Sequence, residues 1–476
     1  MTELLKLVNP RFLPPLDESF RPAVLANRAF REEVENSGSG VLLALGLERP
    51  DGAVSRFETQ VFPDGHPWAN ANLVYAERLF KFLLWQRGGY KAYVGGPKSI
   101  GNYIGKRYAP GGVREFDFHF MGEDVYEKTF TVVSCEASEV PAEREIGRPL
   151  GRHLDGYRIG FDLGASRRKV SAVVDGEVVF SEEVVWEPSK QSDPQYHYRE
   201  IMASLKKAAS KVPRVDAIGG SAAGIYVNNR ARIASLFRGI PKDRFDEVRG
   251  LFLRIRDEMG VPLEIVNDGE VTALAGSMAL EDNAVLGISL GSSEASGYVT
   301  TDGSMTGWLN ELAFAPLDYS PEAPLDEWSG DRGCGALYLS QQCVFRLTPK
   351  VGIELPANAT DAEKLRSVQE KFEAGHEGAA RIWQSIGYYM GYAIAHYADF
   401  YDLKHVLIMG GCTSGKCGQL ILDGANEVLK AEFPEFASRI NIQLPDEKSR
   451  RVGQSIAAAS LPEIVCFPDQ TRAPIS

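Results

Sequence analysis

The chain has 476 residues, 44% hydrophobic and 24% charged, the proportions of an ordinary globular protein with room for about two to four domains. A formal net charge of -12 argues against non-specific nucleic-acid binding, which needs basic patches, although backbone N–H groups can still receive phosphates. Six cysteines are too sparse for a disulfide scaffold, the N-terminus MTELLKLVNPRF does not read as a signal peptide, and no apolar run approaches the ~20 residues of a membrane span, so a cytoplasmic protein is expected.

Residues 1–40 are Pro-rich and then charged. VLLALGLE (41–48) and SRFETQVF (55–62) read as strands joined by a turn at Arg49-Pro50-Asp51-Gly52. Residues 70–89 carry Leu73, Ala76, Phe80, Leu83 and Leu84 at helical spacing and stop on Gly88-Gly89. YKAYV (90–94), REFDFHF (114–120) and KTFTVVSC (128–135) look strand-like, which makes 1–150 an α+β domain of its own. The stretch 136–156 lacks periodicity and reads as a linker.

A new pattern starts at Tyr157. YRIGFDLG is a buried strand, and KVSAVVDG and EVVFSEEV form a hairpin around Asp175-Gly176. A helix over 197–211, the strand AIGGSAAG (217–224), a helix over 243–259 and the strand end EIVND follow. The second half repeats the theme with the strand NAVLGISLGSS (283–293), the hairpin 297–307, a long helix over 377–402, the Gly-tipped strand 405–411 and a closing helix over 450–461. Two related α/β lobes around a cleft are expected, 155–285 (completed by 447–462) and 286–446.

Four small-residue loops close predicted strands: DLGAS (162–166), VND (266–268), SLGSS (289–293) and MGGCTSG (409–415). Small residues there let a phosphate approach backbone N–H groups, and no Walker loop is present. The pair Asn267-Asp268 has two readings: helix-capping residues of an ordinary strand-to-helix loop, or a catalytic base at the floor of a cleft.

DLGAS resembles the first phosphate loop of the actin-like ATPase and sugar-kinase superfamily, SLGSSEASGYV its second, and HVLIMGGCTSG its adenosine loop. Within that superfamily, VNDGEVTALAG, NELAF (310–314) and SGDRGCGALYLS (329–340) are similar to segments of the ROK family of bacterial sugar kinases and repressors. The order holds from about residue 157 to 460. The resemblance implies two ribonuclease H-like lobes and ATP-dependent phosphorylation of a sugar hydroxyl. It makes Asp268 the general base, Asp162 the partner of Mg²⁺ or its waters, and Asn267 and Glu311 holders of the sugar, with Asn229 or its neighbour Asn228 a further candidate. Gly164, Ala165, Ser166, Gly291, Ser292, Gly410 and Gly411 would face the nucleotide.

The departures are informative. Glu294 puts a carboxylate into the second phosphate loop, where it would repel phosphates unless turned away or met by a metal ion. Phe314 stands in place of the family's zinc-binding His, and Cys334 is the sole counterpart of its zinc cysteines, so no zinc is expected. Residues 1–150 have no place in the family pattern and lack a basic recognition helix, so DNA binding is not expected. A sugar kinase is the leading reading. A non-catalytic sugar- or nucleotide-sensing scaffold, or an ATPase that drives a partner protein, are the alternatives. A small-molecule sugar and a second copy of the chain are the expected partners, with no membrane.

Overall fold

The computed structural model describes residues 8–148, 150–164, 166–445 and 447–464. They divide into two compact units. One comprises residues up to Ile146 with Ile288–Ala295 and Gly307–Leu444; the other comprises Gly147–Gly287 and Ser296–Thr306 with the C-terminal residues from Pro445.

In the first unit, strands β1 (Val41–Glu48), β2 (Val54–Val61), β3 (Lys91–Gly95) and β4 (Thr131–Cys135) form a sheet in the order β2-β1-β3-β4. The β1–β2 hairpin and the helix Ala69–Arg87 follow the predicted pattern within a residue or two at most ends. The helix Ala23–Ser37 was not signalled by the Pro-rich and charged composition of its surroundings. Residues 114–120, read as a strand, are instead the helix Glu115–His119 running into a π-helical turn Phe120–Tyr126. The alternation Phe116, Phe118, Phe120 mimics a two-residue period. Tertiary packing chooses the four-residue spacing instead: Phe116 and Phe120 lie with ring centroids 5.4 Å apart, and both rings reach Trp85.

The second unit is built on strands β5 (Tyr157–Leu163), β6 (Arg167–Val174), β7 (Glu177–Val185), β8 (Ala217–Ala222) and β11 (Leu263–Asn267), with the small hairpin β9 (Ile225–Val227) and β10 (Arg230–Ile233) between the last two. The five-stranded order is β11-β8-β5-β6-β7. β5, β8 and β11 are parallel neighbours; β6 and β7 are antiparallel. Ile159, Phe161, Leu205, Ile218 and Phe252 belong to the apolar core packed on this sheet. The helix Glu447–Ala459 packs against β5, β8 and the helix Asp268–Leu280.

Strands β12 (Val285–Leu290) and β13 (Glu294–Val299) cross the boundary between the units. They belong to a sheet of order β13-β12-β14-β15, whose last two strands, β14 (His405–Met409) and β15 (Asn441–Gln443), are parallel. The predicted long helix is Glu377–Tyr397, and most of it from Ile382 on is buried. Among the described residues no helix is long and apolar enough to cross a membrane.

Candidate functional site

In the second unit the parallel register sets the geometry. Asp162 of β5 lies level with Ser221 of β8, and Ser221 lies level with Val266 of β11. The carboxyl ends of three adjacent parallel strands therefore converge, the usual location of a ligand crevice in an open α/β sheet. Ser221 donates its hydroxyl to Asp162 Oδ1 at 2.8 Å. The sequence offered Ser221 only as one small residue among several; its link to Asp162 requires knowing that β5 and β8 pair in parallel.

Asn267 ends β11 and caps the helix Asp268–Leu280. Its Oδ1 accepts from the Gly269 amide at 2.7 Å, while its Nδ2 donates to Gly224 O at 2.8 Å. Glu270 completes a capping box by accepting from the Asn267 amide. Asn267 is thus a cap, and Asp268 is the first helical residue. Asp268 is half-buried and accepts from the Gly269 amide through Oδ1 at 3.2 Å. Burial and then the charge of Asp162 push its carboxyl up from 3.8 to about 6. Burial likewise raises Asp162, opposed by the Ser221 hydrogen bond. Burial, and then the charge of Asp268, raises the Tyr226 phenol. Glu270 is pushed up to about 7 by burial, against the pull of Arg148.

The helix N-terminus carrying Asp268 is fixed by backbone-to-backbone proximity. A Cβ on Gly269 would sit 2.5 Å from Ser296 O, and one on Gly297 would collide with Gly269 O. Only glycine at both places permits this approach.

Asn229 sits in the turn of the β9–β10 hairpin, with Asn228 beside it, both at positive φ (60° and 52°). Its Nδ2 donates to Leu263 O at 3.0 Å and its Oδ1 accepts from the Ile265 amide at 2.9 Å. The buried amide therefore brackets β11 rather than pointing its polar atoms at a ligand. Gly164 accepts from Trp186 Nε1 at 2.9 Å, and Ser166 is exposed in the same loop. Ala165 lies outside the described residues.

In the first unit, Gly291 and Ser292 are braced from one helix end: Gly291 O accepts from the Gln341 amide at 2.9 Å, and Ser292 O accepts from Gln342 Nε2 at 3.3 Å. Glu294 turns away from the loop into the protein, 2% exposed, and accepts from Tyr397 Oη at 3.0 Å. Burial pushes it up to about 8, which favours its neutral form. Gly410 has φ 103°, and a Cβ there would lie 2.5 Å from Leu290 O. Gly411 O accepts from Gln369 Nε2 at 2.8 Å. Glu311 is half-buried at the start of the short turn Leu312–Phe314, its amide bound to Trp85 O at 3.0 Å. Phe314 stacks on Trp85, with centroids 4.3 Å apart. Cys334 is fully buried, and burial pushes its thiol up to about 12. Among the described residues no group of three or more His, Cys, Asp or Glu could hold a metal ion.

This architecture matches a known class. The chain is similar to the ROK hexokinase of Thermus thermophilus, with a TM-score of 0.50 and 18% identity over 63% of this chain and 97% of that one. Over that 63% of the chain the α/β fold is similar to that of a ROK hexokinase. Lower scores come from a Streptomyces griseus ROK glucokinase solved with glucose and AMPPNP (TM-score 0.46, 20% identity, 64% of this chain and 99% of that one). A ROK transcriptional regulator described as a homologue of the E. coli MLC protein scores 0.49 at 17% identity, covering 65% of this chain and 79% of that one. The fold assignment rests on the hexokinase. No protein-family model and no curated protein matches the sequence.

Proposed function

We propose that the chain is a ROK-family kinase that transfers the γ-phosphoryl group of ATP to a hydroxyl of a sugar or sugar-like polyol. The observation that carries this reading is the placement of Asp162 on β5 and of Asp268 just after β11, at the carboxyl ends of the two parallel strands that flank β8, with Asp268 pushed up to about 6. A general base works best when its pKa lies near the working pH yet the group is mostly ionised there, and Asp268 meets both conditions.

In this reading Asp268 accepts the proton of the sugar hydroxyl while that oxygen attacks the γ-phosphorus. Asp162 is a hard oxygen donor with one oxygen steadied by Ser221, which suits Mg²⁺ holding most of its waters and the nucleotide phosphates. When bound, the metal would neutralise phosphate charge. Glu311 would accept from sugar hydroxyls. Gly164, Ser166, Gly291, Ser292, Gly410 and Gly411 would lie along the nucleotide, with Ala165 carried over from the sequence resemblance. Asn267 positions the base by capping its helix, and Asn229 positions β11. The burial of Glu294 against Tyr397 supports the reading, since a carboxyl turned inward and pushed up leaves the second phosphate loop compatible with phosphate. The two-lobed ribonuclease H-like arrangement and a separate role for residues 1–150 belong to the same proposal.

The test is ADP release across glucose, mannose, fructose, N-acetylglucosamine and inositol, with Asp268→Asn as control. Sugar-dependent release that the substitution abolishes supports the kinase. Sugar binding without release identifies a sensor, and sugar-independent hydrolysis identifies a partner-driving ATPase.

A further inference from the structure

Residues 69–120 have no counterpart in the sequence pattern that suggested a kinase, yet they contain the most heavily buried charges of the first unit. The helix Ala69–Arg87 is buried on all sides from Tyr75 to Arg87. Its polar face meets the segment that begins at Asn310 and ends at Asp331. At one end, the Asn310 amide donates to Gln86 O at 2.8 Å and the Glu311 amide to Trp85 O at 3.0 Å. These are carbonyls of the helix's last turn, which lack partners within the helix. Asn310 holds a positive φ of 51°, and its Oδ1 accepts from Tyr401 Oη at 2.9 Å. Phe314 stacks on Trp85 and lies near Phe116 and Phe120.

At the other end, Asp331 is caged. Arg78 Nη1 lies 2.9 Å and Lys81 Nζ 3.0 Å from its Oδ2, and Arg114 Nη1 lies 2.6 Å from its Oδ1. Glu77 and Asp117 balance the remaining positive charge: Arg78 and Arg114 bind Glu77, Lys81 binds Asp117, and Trp85 Nε1 donates to Asp117. Three cations and three carboxylates, all of them at least nine-tenths buried, face one another, and the less buried Arg107 Nε lies 3.8 Å from Glu77 Oε1 at the edge of the cluster. Burial alone would raise Asp331, but Arg78 and Lys81 hold it below its ordinary value. Arg78, Lys81 and Trp85 are spaced three and four residues apart, so one helix face grips both ends of the 310–331 segment.

We propose that the Ala69–Arg87 helix, with Arg114 and Phe116–Phe120, is a built-in positioning element that holds Glu311 in place, with Trp85, Lys81 and Arg78 as its positioning residues. The substrate role of Glu311 rests on the kinase reading; the holding of its backbone does not. The experiment therefore has two arms on the full-length protein. Hydrogen–deuterium exchange of the 308–316 peptide is compared between wild type, Phe314→Leu, Phe314→Tyr and Asp331→Asn, with thermal melting as a check of folding. Phe314→Leu keeps apolar bulk and removes only the stack, so it decides the matter should Asp331→Asn fail to fold. Exchange at Asn310 and Glu311 is expected to quicken about tenfold or more in Phe314→Leu, to stay near wild type in Phe314→Tyr, and to stay unchanged in β5 and β8 of both. Wild-type protection of 308–316 in a folded Phe314→Leu overturns the proposal. In the second arm, the KM for whichever panel sugar gives turnover is expected to rise about tenfold in Phe314→Leu, with the KM for ATP and kcat changed less than about twofold. An equal effect on both substrates overturns the positioning role. A wild type with no sugar turnover but the expected exchange pattern refutes the kinase reading and leaves the positioning of the Glu311 backbone standing.

Discussion

Replacing Asp268 by Asn removes a charge that the fold holds at a cost. The carboxyl is raised from 3.8 to about 6, first by burial and second by Asp162. At about 1.4 kcal/mol per pKa unit, this is about 3 kcal/mol of native-state destabilisation once the group is ionised. Solvent at its half-buried position screens part of that, leaving about 1–2 kcal/mol. The folded protein binds this proton more tightly than the unfolded chain does. The penalty is therefore absent below about pH 4, grows as pH rises to about 6, and is constant above. Asn preserves the oxygen that accepts from the Gly269 amide. At about 2–4 °C per kcal/mol for a domain of this size, the variant should melt about 3–6 °C higher than wild type at pH 7.5 and at nearly the same temperature at pH 4. Differential scanning calorimetry at both values checks this. A variant no more stable at pH 7.5, or one equally stabilised at pH 4, would falsify the claim that the site holds Asp268 as a strained anion.

Three further substitutions probe the surroundings of the site. Gly269→Ala pushes a methyl group against Ser296 O and should cost about 1–3 kcal/mol in urea unfolding while lowering turnover, because the helix start carrying Asp268 must shift; unchanged stability would show that the approach of Gly269 to Ser296 is not as tight as described. Asn229→Ala leaves Leu263 O and the Ile265 amide without their side-chain partner and should cost about 2–4 kcal/mol, whereas a loss of sugar affinity at full stability would make Asn229 a ligand instead. Glu294→Gln keeps the shape of a buried acid that is pushed up to about 8. Its melting temperature should exceed that of wild type by a margin that widens between about pH 4.5 and 8 and then stays constant; a variant that matches wild type near pH 4 and falls below it near pH 8 would mean that the carboxylate is needed ionised.

Much of the site's local frame could be read from the sequence because it is written in short-range patterns. Buried strands ending at Leu163 and Asn267, the Asp175-Gly176 hairpin and the Gly-tipped strand at Met409 each announce themselves within about ten residues. Of the two readings of Asn267-Asp268, the structure contains the helix cap; the catalytic base is the proposal made above. Asn267 is the helix cap, and the adjoining Asp268 has the raised pKa that the proposed base requires. What escaped was long-range. Ser221 finds Asp162 only through parallel strand pairing. Arg78 meets Asp331 across 253 residues of chain, so the spacing that marks the Ala69–Arg87 helix says nothing about the carboxylate covering its polar face. Residues 114–120 were misread for the same reason, since the Trp85 and Phe314 rings that select a helix there lie far off in sequence.

The central claim is that Asp268 takes a proton from a sugar hydroxyl during phosphoryl transfer. Its most direct measurement is the pH dependence of kcat/KM for sugar-phosphate formation, followed by mass spectrometry of the product, in wild type and Asp268→Asn. The account expects a phosphorylated sugar whose rate of formation falls below an acid limb near pH 6, and loss of about 100-fold or more of that rate in the variant. A variant that still forms the sugar phosphate at the wild-type rate, with the same acid limb, would contradict it.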